Sequence, residues 1–327
     1  MRIVAVPLGI VLTLSFLILS NPVLLALTFS ENENALFLTM INKIKAETQL
    51  AAYNFSNNTK QAQYHANAAE ALFTQNDPVV NTTWTSEISE RNPRITTNLV
   101  HSLNDLKTTA TSSSYNSSTV QSKVTNIVNL LDEAVSVRIG KDRLDNPKTQ
   151  ALVLANLANE IYNSYGNALG LPSNMVANMA GMSMSSKGSS SGNGSAMNTL
   201  NQSPATIKNM TAYQTAESLA AVVQQVFDKN LKPIATANAT NSNSNVANYL
   251  NQLKNAINNK SSFMNVMELI HVKLHPTLIG AYHLRLSMPG MNMPSKGSPM
   301  SMNMSGGNRM SAMNMPSKGS SKNMNKQ

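Results

Sequence analysis

Apolar residues recur at intervals of three and four through most of 31–284, and the order of these runs is the same in the two halves of that stretch. Leu36, Met40, Ile41 and Ile44 form one run, Val100, Leu103 and Leu106 another, and Val120, Val124, Ile127 and Leu131 a third. This spacing places the apolar side chains on one face of an α-helix. Pro and Gly fall mostly between the runs, as at Pro78, Pro93, Gly140 and Pro147. No stretch alternates with period two for long enough to suggest a sheet. The predicted class is therefore all-α.

The halves match segment by segment. ALFL at 35–38 pairs with ALVL at 151–154, and YHANAAEAL at 64–72 has the spacing of YQTAESLAA at 213–221. NLVHSLNDLK at 98–107 pairs with NVANYLNQLK at 245–254, and the run from Val120 to Leu131 pairs with Phe263, Met267, Ile270 and Leu274. Four matches in one order predict a tandem duplication of a unit of about four helices, enough for an up-and-down bundle. The units are 31–140 and 148–284. The second has a longer interval between its first two helices, and the excess is a Met-, Ser- and Gly-rich insertion at 171–206. A loop insertion costs little closure entropy, so this one is expected to be mobile while the helices fold.

Ahead of the helical body, residues 1–30 carry Arg2 and then no charge until Glu31. A cation followed by a long apolar run reads as an export signal, cleaved after Ala26 or Ser30, or as a retained membrane anchor. Both place the body outside the cytoplasm: periplasmic, cell-surface or secreted. There is no Cys, which excludes disulfides, thiolate metal sites and thiol nucleophiles. Sequons at Asn54, Asn81, Asn116 and Asn238 are no more than abundant Asn, Ser and Thr supply by chance. The net charge of +9 is concentrated in 285–327, with six cations and no acid. These cations stand singly and lack aromatic neighbours, which argues against nucleic acid as a partner.

Fifteen of the twenty Met residues lie in the insertion and after Ser287, in a repeated pattern. MSMSSKGS stands at 182–189, MNMPSKGS at 291–298 and again at 313–320, with MSMNMS at 300–305 between the last two. A thioether is neutral and polarisable, so it suits Cu(I) rather than hard ions. In an extended chain Met-x-Met sets both sulfurs on one side, about 7 Å apart, and Gly, Ser and Asn let a third Met converge.

Over 175–197 and 288–324 the chain resembles the methionine-rich segments of copper-handling proteins of periplasms and cell surfaces, such as copper-resistance proteins and the extracellular ends of copper transporters. The Lys of each SKG unit departs from that pattern, because a cation disfavours a nearby Cu(I). The resemblance implies Met182, Met184, Met291, Met293, Met300, Met302, Met304, Met313 and Met315 as copper ligands. It also implies a copper-dependent membrane or surface protein as partner. Competing readings are a sacrificial sink for oxidants and a plain spacer.

Within the body, 264–283 alone has ligand spacing. Met267, His271 and His275 step by four, and Glu268 lies three before His271. A di-iron bundle needs two Glu-x-x-His units, and the matching places in the first unit hold Thr125 and Val128. A mononuclear copper site on Met267, His271 and His275, joined by His65, His101 or His283, is one reading. The other makes the two histidines ordinary polar positions beside a break at Pro276. GSSSG at 188–192 fits G-x-S-x-G but lacks the strand and helix that a nucleophile elbow requires. The chain is expected not to be an enzyme. It reads as an extracytoplasmic copper-binding protein for storage, buffering or delivery of Cu(I), or else as a structural or adhesive surface protein with Met-rich spacer arms.

Overall fold

Asparagine and serine side chains set where the helices begin. The structure is a computed structural model describing residues 29–77, 82–112, 116–182, 200–201, 203–235 and 239–285. Helix α1 (Glu31–Phe55) opens on a capping box, in which the Ser30 hydroxyl accepts from the Glu33 N–H and the Glu33 carboxylate accepts from the Ser30 N–H. Asn58 caps α2 (Thr59–Thr74), Thr83 caps α3 (Trp84–Arg91), Asn92 caps α4 (Pro93–Thr111) and Asn116 caps α5 (Ser117–Arg138). After the single turn α6 (Lys141–Leu144), Asn146 caps α7 (Pro147–Ala168). Pro93 and Pro147 each open a helix, where the missing N–H costs nothing. Then follow α8 (Ser173–Met182), α9 (Met210–Val226) capped by Asn209, α10 (Thr240–Asn258), α11 (Phe263–Met267) capped by Ser262, and α12 (His275–Tyr282). Among the described residues there is also one antiparallel pairing, of Asn76–Asp77 with Thr82–Thr83.

The all-α expectation holds. In the first unit α1, α2, α4 and α5 pack in a ring, each against the next and α5 back against α1; α3 lies over α4 and α5. In the second, α7, α9, α10 and the segment from α11 to α12 pack in the same cyclic order. The units meet through α1 against α7 and α9. This explains why the matched ALFL and ALVL segments have no polar break. Phe37 to Ile41 of α1 and Thr149 to Ala155 of α7 are buried at every position, because each helix faces its own unit on one side and the other unit on the other. A helix apolar all round is a helix covered all round.

Arg138 ties the end of the first unit to its start. Its guanidinium donates to Glu87 at 2.7 Å and to Asn34 Oδ1 at 3.2 Å, and lies 4.0 Å and 4.4 Å from the ring centroids of Phe29 and Phe37. Parts of the expected insertion belong to the body: α8 falls within it, and the Tyr162 hydroxyl donates to the Val176 carbonyl at 3.0 Å. Gly166 permits that approach, since a Cβ there would meet Val176 at 2.7 Å and Phe263 at 3.2 Å. Of the expected signal or anchor at 1–30, all but Phe29 and Ser30 lies outside the described residues; among those described, no helix is long and apolar enough to cross a membrane.

Two π-helical turns interrupt the second unit, Phe227–Leu231 after α9 and Glu268–Leu274 between α11 and α12. A proline follows each by two residues, Pro233 and Pro276. Proline lacks the ladder N–H, and its ring crowds the carbonyl four residues back; a widened turn makes room. The helix therefore runs through Pro276 rather than breaking there.

Candidate metal centre

The π turn at Glu268–Leu274 decides which side chains enter the core of the second unit. Before it, Phe263, Val266 and Ile270 are buried at ordinary helical spacing. A wider turn delays the inward stripe by one residue. Beyond the turn the buried positions are His271, Leu274, His275, Leu278 and Tyr282, while Thr277 and Ala281 stay partly exposed. An uninterrupted helix would have turned those last two inward instead. His271 and His275 are 3% and 0% exposed, so they are not the ordinary polar positions beside a break that the sequence allowed.

The two rings stand 5.1 Å apart, steeply tilted, and the Tyr162 ring meets His271 edge-on at 4.6 Å. His275 Nε2 donates to the Ala155 carbonyl at 3.2 Å. A carbonyl can only accept, so the proton sits on Nε2 and the lone pair of Nδ1 is bare. That Nδ1 has no partner, and neither ring nitrogen of His271 has one. Buried polar atoms are nearly always satisfied, and leaving one unpaired costs about 1–3 kcal/mol. Three on adjacent rings mark this as the chemically unfinished place in the body.

Burial pushes His271 down to about 4. Burial first, and then the neighbouring His271, push His275 down to about 3. Both rings are neutral at ordinary pH, the form that ligates metals. The effect on stability has a definite sign. An unfolded chain takes up these protons below about 6.5, whereas the folded chain refuses them until pH 4 and 3. Stability is therefore full above pH 6.5 and falls as the pH drops from there towards 3. The loss is expected to appear as a falling Tm between pH 7 and 4. His275→Leu should flatten the slope.

The structure joins some of the expected ligands and separates others. Met267 is half-buried one turn before His271 and packs against the core. His101 and His283 are exposed, and His65 is engaged elsewhere, so none of the three completes the pair. No group of three or more His, Asp or Glu that could hold a metal occurs among the described residues. Met182 is the last residue of α8, which departs from the extended form assumed for the first Met-x-Met unit. Met184, Met291, Met293, Met300, Met302, Met304, Met313 and Met315 lie outside the described residues, as does the expected mobility of the arms.

A second polar cluster, absent from the sequence reading, lies where the units meet. His65 Nδ1 is 2.6 Å from Glu47 Oε2, and His65 Nε2 is 3.0 Å from Gln214 Oε1. The Gln214 amide donates to Asn54 Oδ1 at 3.1 Å, and Thr215 donates to Glu47 Oε1 at 2.8 Å. Both ring nitrogens of His65 are engaged, Nδ1 by the Glu47 carboxylate and Nε2 by the Gln214 side chain, so the ring is held from both sides. His65 and Gln214 occupy matching positions in the two halves, and here they touch. Asn54, one of the sequons, is committed to this cluster and 3% exposed. The usable sequence signal was one ionisable residue on each small-residue face, Glu47 on α1 and His65 on α2. Compared with protein-family models, curated proteins and solved structures, the chain has no match in any of the three.

Proposed function

We propose that this chain is an extracytoplasmic copper-binding protein that stores, buffers or delivers Cu(I) and is not an enzyme. The observation that carries the reading is the recurrence of Met-x-Met: two identical octapeptides, one near copy and the intervening MSMNMS. Thioethers ligate without losing a proton and prefer soft monovalent ions. The helical body supports the reading as a scaffold. One Met-rich stretch departs from the end of α8 at Met182, and the other follows the last described residue, Arg285. Export through the N-terminal run would expose both stretches outside the cytoplasm, where a copper-dependent membrane or surface protein is the natural recipient.

Titration of the purified protein with Cu(I) against a chromophoric competitor tests this. Uptake of several equivalents is expected. Less than one equivalent would remove the proposal and leave the structural or adhesive reading, in which Met has no chemical part.

A further inference from the structure

We infer that His271 and His275 form an internal binding site for a single soft monovalent cation of the Cu(I) type, separate from the Met-rich arms. The argument begins from the unpartnered nitrogens. His275 Nδ1 presents a lone pair inside the bundle, while its other nitrogen donates to the Ala155 carbonyl. A histidine that ligates a metal characteristically holds its second N–H on a carbonyl or carboxylate, which fixes the tautomer and aims the ring. Ala155 therefore stands as the outer-shell partner. His271, on the next ring over, offers a second nitrogen with no competing bond.

Charge selects the ion. The ring packed on His271 is that of Tyr162, which in turn packs on Phe263 at 4.8 Å, and the neighbouring buried positions on the same segment, Leu274 and Leu278, are apolar. Glu268, the carboxylate nearest in sequence, is exposed and paired with Lys273 at 3.0 Å. The cost of burying a charge grows with its square, and nothing here neutralises a divalent ion. A monovalent ion content with two or three neutral ligands is the one that fits, and imidazole suits copper.

The π turn belongs to the site: it includes His271 and runs without a break into the helix that starts at His275. It also sits next to the first arm. Tyr162 packs on His271 and holds Val176 of α8. Six residues further on, about 9 Å along the helix, α8 ends at Met182, where the first Met-x-Met unit starts.

The inference borrows from the proposed function only the choice of probe ion, and its test is arranged so that the two fail separately. Met184, Met291, Met293, Met300, Met302, Met304, Met313 and Met315 are replaced by Ser in the full chain. This arm variant should still take up one equivalent of Cu(I), with nitrogen-dominated coordination by X-ray absorption. Adding His275→Leu or His271→Leu should abolish that uptake and the accompanying rise in Tm. The leucine variants should melt, without metal, no lower than their parent, because an unpartnered polar ring gives way to an apolar side chain. Should a leucine variant not fold, titrating the arm variant with Ag(I) and following its histidine ring signals by NMR decides the matter. Signals of His271 and His275 should move, and those of His65, His101 and His283 should not. No uptake by the arm variant, sulfur-dominated coordination, or unmoved signals from His271 and His275 would each overturn the site while leaving the arms' copper binding untouched.

Discussion

Replacing the eight arm methionines with serine should remove most of the copper uptake of the full chain, down to a single ion, and leave Tm within about 2 °C. The two halves of that expectation have different causes. Uptake falls because the eight replaced residues are all of the Met-x-Met methionines except Met182, which leaves no intact Met-x-Met pair. Tm holds because residues 287–327 contain no Leu, Ile, Val or aromatic side chain. None of the eight replaced methionines belongs to the described core of the body. Length and charge are unchanged by Met→Ser, so a lost ligand cannot be confused with a shortened chain. Competitor titration and a thermal melt of the same sample give both readings. A large fall in Tm would mean that these methionines pack on the body. Unchanged uptake would mean that the ligands lie elsewhere.

What could be read from the sequence was what local spacing encodes. Leu103, Leu106, Val124, Ile127 and Leu131 are all buried, because three-and-four spacing alone fixes a helical face. The unbroken apolar character of ALFL and ALVL was visible as composition. Its reason, two central helices covered on both sides, was not, because it depends on how the units meet. The histidine pair shows the same limit at finer scale. Spacing by four put Met267, His271 and His275 on one stripe, and Pro276 suggested a break. The proline instead follows a π turn that keeps the helix continuous and rotates both rings inward. One extra residue per turn changes burial completely and leaves almost no trace in hydrophobic periodicity. The His65 cluster was hidden for another reason: its bonds to Gln214 span 149 residues, beyond the range of any local rule.

Glu47→Ala should lower stability by about 1–3 kcal/mol, the cost of leaving buried hydrogen-bonding groups without their partner. Glu47 is 5% exposed and His65 0%, so water cannot replace the lost carboxylate. Its removal strands the His65 Nδ1 proton and the Thr215 hydroxyl together, and both lie at the contact between α1, α2 and α9. In a body of this size that corresponds to a Tm lower by roughly 2–12 °C. Glu47→Gln should cost less, since an amide can still accept from one of the two donors. The double variant Glu47→Leu with His65→Phe provides the discriminating control. If their pairing is what matters, removing both polar groups should recover much of the loss, because replacing both partners of a buried hydrogen bond by apolar groups of similar shape is nearly neutral. Gln214 then loses one partner but keeps Asn54 and, at 3.4 Å, Gln61, which limits the recovery. Because the cluster bridges the two units, the single variant should also loosen amide-exchange protection in α1, α2 and α9 before α10. Copper uptake by the arms should be unaffected. A cost for Glu47→Ala below about 1 kcal/mol, the range of exposed pairs, would show that His65 and Glu47 do not pair in the interior.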